Sequence, residues 1–531
     1  MNERDLVYLR PNVVPEPLFA GWYAWPHLIS PATCAMNVVG RHLKIMSSFI
    51  QAPQVHAAAV KDPRMLGGPF MDHPESLVDE IKKLKGDTLK SQRHLIVFAE
   101  AVRDLYQMLK RDATGYSLDA LYEKVPETLK GYVELYYDVQ NQPSFRFYEA
   151  LLYNSQYHDR SAQSLACYSI NSDYRPFALS TPRLPNRDTL NLSIPFDSGV
   201  IDDLFRMRRK AAAYAEIREA LGIRGDEEEL FRTFFTDSAP PRPDPVERDG
   251  VRVRYFGHAC LLIQTREVSI LSDPILSYRY DGGMPRYTYD DLPDVIDYVV
   301  ITHNHQDHIL LETLLQIRHK VRNLIVPRNG VGQLHDPNLK LMFRALGFRN
   351  VIELDEFETI ELPGGQITGL PFSGEHADLG VRAKLCHLVR VGGTSILLLA
   401  DSSSVESKLY YNIHQLVGDV DVLFLGMECD GAPLTWLYGP LLPEPLARDK
   451  DRSRRLAGSD FLRATQLVEQ FRPKEVYVYA MGQEPWLTYM MALQYTDQSN
   501  PIIASNKLVS ACREQGMVAE RLFGMKEVWY A

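Results

Sequence analysis

The chain has 531 residues, 45% hydrophobic and 24% charged. That length implies about two to four domains with substantial cores, and the composition excludes disordered, collagenous and coiled-coil proteins. Lys plus Arg number 58 against 68 for Asp plus Glu, a formal net charge of −10, which argues against general nucleic-acid binding through phosphate neutralisation.

The opening MNERDLVYLR lacks the basic-then-apolar order of a secretory leader. Residues 17–40 contain no Asp, Glu, Lys or Arg, yet Pro26, Pro31, His27 and Asn37 interrupt them. A buried irregular segment is expected there rather than a membrane span. The cysteines, Cys34, Cys167, Cys260, Cys386, Cys429 and Cys512, form no CxxC pair. Neither a disulfide framework nor a thiolate zinc knuckle is therefore expected, and the protein reads as cytoplasmic with no membrane or nucleic-acid partner. Apolar spacing of three and four predicts amphipathic helices over 75–113 and 116–140. Residues 163–195 look strand-like, and a charged helix is expected over about 200–221, with RMRRK (206–210) on its solvated face. The aromatic run GWYAWPH (21–27) suits a substrate tunnel, a core or a dimer interface. Residues 1–236 thus read as a mixed α+β N-terminal domain, and the proline-rich DSAPPRPDPVERDG (237–250) as a linker.

From 251 to 531 the texture changes. VRVRYFG, ACLLIQT, VSILSDP, DYVVITH, NLIVPRN, TSILLLAD, VDVLFLGM and EVYVYAM read as strands separated by helical patterns, which predicts a layered α/β domain. DYVVITH runs into THNHQDH (302–308). In an extended segment His303, His305 and Asp307 would project to one side and His308 elsewhere. Such an arrangement can serve two metal ions, His303 and His305 for one, Asp307 and His308 for the other.

This stretch resembles the HxHxDH signature of the metallo-β-lactamase superfamily. GHACLLIQ followed by SILSDP (257–264 and 269–274) resembles that fold's opening hairpin and Asp-Pro strand end. The resemblance implies a C-terminal αββα sandwich with metals at one edge between the sheets, where His258 and Asp273 would support the edge rather than ligate. The later loop PFSGEHADLG offers Glu375 or His376 as a third ligand, and Asp401 closes the apolar run SILLLAD, a placement that packing explains poorly. The superfamily's last histidine is missing: no histidine follows His414, and YVYAMGQEPWL offers only Met481, Gln483 and Glu484. That departure argues against simple hydrolase chemistry.

The whole chain, including SGEHADLG and GMECDGAPLTWLYGPLL, resembles the non-haem diiron β-hydroxylases of chloramphenicol-type antibiotic biosynthesis. These monooxygenases act on aminoacyl thioesters held by carrier domains of nonribosomal peptide synthetases. The resemblance implies His303, His305 and Glu375 on one iron, Asp307 and His308 on the other, and Asp401 between them. It also implies O2 as co-substrate, an external reductase as electron donor, and a homodimer formed through the N-terminal domain. Three carboxylates against two ferrous ions would leave a net charge of +1, and a mixed histidine–oxygen shell suits iron better than closed tetrahedral zinc. Glu428 and Cys429, after VDVLFLG, could touch substrate or back the metals, and Cys429 could equally pack as a small hydrophobe. The basic loop ARDKDRSRRLAGSD (447–460) could dock an acidic carrier or simply be solvated. The competing expectation is a dizinc hydrolase, a thioesterase or lactonase, using a bridging hydroxide.

Overall fold

The apolar strands of the second half assemble into two seven-stranded sheets in a computed structural model that describes residues 5–531. Of the opening decapeptide, residues 1–4 lie outside the described part. The first sheet runs Val351–Leu354, Val321–Pro327, Ile296–Val300, Ser269–Ser272, Cys260–Gln264, Val251–Gly257, Lys526–Tyr530. The second runs Thr359–Leu362, Gly365–Leu370, Cys386–Val391, Thr394–Leu398, Val422–Gly426, Glu475–Tyr479, Val518–Arg521. Each begins as an antiparallel meander and continues as parallel strands. Parallel strands are covered on both faces, which is why they read as unbroken apolar runs.

The inner faces meet in a core that includes Ile263, Val300, Ile325, Val389, Ile396 and Phe424. Helices Ser407–Val417, Phe461–Phe471 and Asn500–Glu514 cover the outer face of the second sheet. A further core runs without interruption from the N-terminal half into helices Leu311–Ile317 and Leu339–Ala345 and the first sheet's outer side. Residues 237–250 form no strand or helix and are strapped to the surface: Arg252, itself buried, bonds the Asp244 carboxylate (2.9 Å) and carbonyl (2.7 Å).

The N-terminal half corrects several expectations. Helices do form at Val78–Ser91 and Arg93–Asp112. Residues 116–140 instead contain two short 3-10 turns, Asp119–Lys124 and Glu127–Leu129, and then strand Val133–Tyr137, paired with Pro143–Phe147. Pro126 interrupts the helical spacing, and VELYY is rich in the aromatic residues that favour strands. The helix expected over 200–221 is split into Gly199–Arg206 and Tyr214–Ala220. Arg208 is buried between them, donating to the Arg10 and Val13 carbonyls, so RMRRK is not a uniformly solvated face. Residues 163–195 hold only the strands Gln163–Ser169 and Leu190–Leu192. Segment 17–40 is buried as expected but is regular, with strand Val13–Phe19 followed by short helices Pro26–Ile29 and Pro31–Asn37. Trp22, Tyr23 and Trp25 pack in the core. Among the described residues no helix is long and apolar enough to cross a membrane, and all six cysteines are free.

Candidate metal centre

Six loops leave the carboxyl ends of strands at one edge of the sandwich, and they carry Asp273, His303, Glu375, Asp401, Glu428 and Ala480. The backbone is strained there. His258, Asp273, Glu375, Ala400 and Ala480 all have positive φ, from +33° to +68°, a concentration typical of functional sites. Gly374 sits at φ +86°, and an added Cβ would meet Ser403 Cβ at 3.0 Å, so the freedom of glycine is used to aim the next residue inward. The Leu385 N–H donates to the Thr302 carbonyl (2.7 Å), joining the two sheets beside the cluster.

Residues 303–308 are not extended. The His308 and Ile309 N–H groups donate back to the His305 carbonyl (3.2 and 3.0 Å), which closes a turn. His308 is thereby folded into the cluster rather than pointing away, its ring 4.0 Å from that of His303. Asp273 fixes this turn: its carboxylate accepts from the Thr302 N–H (2.8 Å) and hydroxyl (2.6 Å) and lies 2.8 Å from His308 Nδ1. His308 Nε2 is then left facing Asp401 Oδ2 at 3.0 Å.

Three groups of donor atoms converge: His303, His305 and Glu375; His303, His308 and Asp401; and His258, Asp307 and His308. Glu375 lies 2.8 Å from His305 Nδ1 and 3.9 Å from His303 Nε2, and Asp401 lies 3.7 Å from His303 Nε2. His376 belongs to none of these groups; its ring lies tilted against that of His305, centroids 4.4 Å apart. His258 accepts the Gly482 N–H at Nδ1 (3.1 Å), so the nitrogen left to carry hydrogen, Nε2, faces Asp307 at 3.3 Å. That tautomer supports the carboxylate rather than a metal.

Burial raises Glu375 to about 7 against the lowering effect of His305. Burial also opposes ionisation of Asp307, but His308 and His258 hold its carboxyl well below the usual range. His303 is pushed down by burial and by its neighbouring histidines. His308 is raised, with burial overcome by Asp401, Asp273 and Asp307. His303 Nε2, Glu375 Oε2 and Asp401 Oδ1 are buried without hydrogen-bond partners among the described residues. Orphaned imidazole and carboxylate atoms grouped this closely fit a pair of divalent cations.

Several contacts were not legible in the sequence. Tyr438 OH lies 3.2 Å from His305 Nε2 and orients that ring. Glu428 accepts from Tyr495 OH (3.1 Å), and burial, reinforced by Asp401, pushes its carboxyl up to about 8. Cys429 is half-buried beside it. Where the last histidine of the superfamily is missing, Ala480 faces the cavity, and Glu484 is turned away to Tyr255 OH. In the basic loop Arg454 bonds the Ala377 carbonyl (2.9 Å) and Arg455 the Gly431 carbonyl (2.6 Å). Both therefore hold site loops, and Arg448, Lys450 and Arg452 are left as exposed charges.

A cavity of about 1010 Å³ reaches this cluster. Its buried end is lined by His305, Asp307, Glu375 and Asp401, and its walls come from both halves of the chain. The GWYAWPH aromatics do not line it.

Two packed sheets with a histidine–carboxylate cluster at one edge define a metallo-β-lactamase-fold metalloenzyme. Residues 8–240 match the diiron non-heme β-hydroxylase N-terminal domain family, and residues 252–434 match the β-lactamase superfamily domain. The chain is 40% identical over 521 residues to the 4-amino-L-phenylalanyl-[CmlP-peptidyl-carrier-protein] 3-hydroxylase of Streptomyces venezuelae, covering 97% of this chain and 98% of that one. The crystal structure of CmlA, a diiron β-hydroxylase from Streptomyces venezuelae, superposes with a TM-score of 0.93 at 39% identity over 99% of both chains. A UPF0173 protein of Pyrococcus abyssi is 28% identical over 177 residues, covering 33% of this chain and 69% of its own. The chain belongs to the non-haem diiron β-hydroxylase family. It is therefore an oxygenase with two iron ions, and the dizinc hydrolase expectation is set aside.

Proposed function

We propose that this enzyme hydroxylates the β-carbon of an aromatic aminoacyl group carried as a thioester on a nonribosomal peptide synthetase carrier domain, in antibiotic biosynthesis. The observation that carries this reading is the cavity running from exposed side chains to the buried ligand cluster, a shape suited to a tethered acyl group. The relative at 40% identity is named for such a carrier-bound substrate. His303, His305 and Glu375 would hold one iron and Asp307 and His308 the other, with Asp401 available to both. When bound, the iron pair would supply the oxidation that consumes O2, two external electrons and two protons, with one oxygen atom ending in the new hydroxyl and the other in water. The chain's own contribution is positional. Asp273 locks the 302–308 turn, Tyr438 and His258 orient His305 and Asp307, and the closed end of the cavity excludes bulk water. Glu428, whose carboxyl burial pushes up, lines the cavity and is held by Tyr495 OH. Residues 1–236 act as the dimerising N-terminal domain, 237–250 as the linker and 251–531 as the catalytic domain of a cytoplasmic homodimer served by a separate reductase.

The test is metal analysis followed by mass spectrometry of carrier-loaded amino acids under isotopically labelled O2. Iron in the protein and one labelled oxygen in the product are expected. Zinc in the protein, with thioester cleavage and no label, would sink the proposal.

A further inference from the structure

We infer that Lys44 and Arg448, at the exposed end of the cavity, form the subsite for the phosphodiester of a phosphopantetheine arm. The inference rests on the carrier-bound reading above and assigns the part of the substrate that lies farthest from the metals.

The cavity lining is mixed in charge and polarity. Asp307, Glu375 and Asp401 line it as buried carboxylates, Asp430 as an exposed one held by Asn500 (2.9 Å), and Ile45, Phe177, Leu179, Trp436, Met491 and Leu493 supply apolar wall. Its outer lining includes the cations Arg41, Lys44, Arg64, Arg448 and Arg455, although the protein as a whole is acidic. Three of these are already committed. Arg41 donates to the Trp436 and Leu437 carbonyls, Arg64 pairs with Asp62, and Arg455 bonds the Asp430 and Gly431 carbonyls. Lys44 and Arg448 have neither a hydrogen bond nor an ion pair among the described residues. One comes from the N-terminal half, on helix Leu43–Gln51, and the other from the catalytic half, on helix Arg448–Ser453.

The two helices are brought to one mouth by neighbouring contacts. An added Cβ at Gly40 would lie 2.8 Å from Pro440 Cα, so the helical turn Val38–His42 that leads into the first helix packs against 439–441. Asp451 of the second accepts from the Thr435 N–H (2.8 Å) and hydroxyl (2.7 Å). Both cations therefore flank the 435–440 segment.

The chemistry of the arm sets its register. The aminoacyl thioester end must reach the metals, and the amide-containing chain can pass the apolar wall. A phosphodiester is ionised at neutral pH and is costly to bury unpaired, so it belongs at the water-facing end, where the uncommitted cations are. An arginine and a lysine together offer a planar fork and a mobile point charge to the phosphate oxygens.

The experiment compares binding of free phosphopantetheine and of pantetheine, which lacks the phosphate, to the iron-loaded enzyme by calorimetry. The phosphorylated form should bind on the order of tenfold tighter, as two solvent-facing charge contacts allow, and the advantage should shrink with added salt. K44A/R448A should abolish the advantage, and the charge-keeping K44R/R448K should retain most of it. Equal affinities in the unmodified enzyme, or an advantage that survives K44A/R448A, would overturn the assignment. Inorganic phosphate competing as well as phosphopantetheine would also overturn it, by showing a general anion site. If the phosphate advantage behaves as expected while no carrier-loaded amino acid is hydroxylated, the subsite stands and the proposed substrate falls.

Discussion

Arg175→Met would strand two buried carboxylates. Arg175 is itself buried and spans Glu16 of the N-terminal half and Glu312 of the catalytic half, with Nη2 at 2.5 Å from Glu16 and 2.6 Å from Glu312. Its guanidinium carbon also lies 3.6 Å from the centre of the Tyr489 ring. Removing one member of a buried ion pair typically costs about 3–5 kcal/mol, because an unpaired charge is left behind. Glu16 would still be held by Arg183 (2.6 and 3.0 Å). Glu312 would keep only the hydroxyls of Tyr23 (3.1 Å) and Tyr278 (2.6 Å). The loss therefore concentrates on Glu312, and about 3 kcal/mol is expected. Urea unfolding of the purified protein checks this, and adding Glu312→Gln should recover part of the loss by removing the uncompensated charge. Glu312 lies four residues beyond His308, on the helix that follows the metal turn, so iron affinity should fall as well. A loss below about 1 kcal/mol, or no recovery in the double variant, would refute the claim that this clamp joins the halves.

Asp401→Ala should lose at least one iron by elemental analysis, since two cations would face each other without their shared carboxylate; two retained irons with full turnover would remove Asp401 from the cluster. His376→Ala should keep both irons and substantial activity, whereas Glu375→Ala should lose iron, and the reverse pattern would transfer the ligand role to His376. Free amino acid should be turned over far more slowly than the carrier-bound form in single-turnover assays, because an unanchored substrate forfeits the binding energy of the arm; comparable rates would contradict this. Burial raises the Glu16 carboxyl, but Arg183 and Arg175 outweigh it and hold it at about 2, below its ordinary 4.5. Its folded value is thus below its unfolded one, so its stabilisation is present above about pH 4.5 and is lost as pH falls towards 2. Glu16→Gln should flatten acid unfolding in that window, and an unchanged acid transition would show that Glu16 is not its source.

The catalytic half was largely legible because its signals are local. Buried parallel strands must be nearly all apolar, so TSILLL and VDVLFLG announce themselves. His303, His305, Asp307 and His308 fall within six residues, and an aspartate ending an apolar run stands out at Asp401. The N-terminal half was read less well: helical spacing over 116–140 yielded to Pro126 and to cross-strand pairing of VELYY. What the tertiary structure alone decided depends on groups far apart in the chain. The His308 ring is turned inward by Asp273, 35 residues earlier, and His305 is oriented by Tyr438, 133 residues later. Glu375 and His376 are adjacent and both can ligate, so spacing left them equal; the turn at Gly374 with its positive φ sends one carboxylate to His305 and leaves the imidazole tilted against the His305 ring. The basic loop looked like one patch, yet backbone carbonyls claim Arg454 and Arg455, leaving Arg448, Lys450 and Arg452 as its exposed charges. Sequence periodicity reports which face of an element is buried. It carries no information about which distant partner completes a hydrogen bond, and in this enzyme those long-range hydrogen bonds shape the metal site.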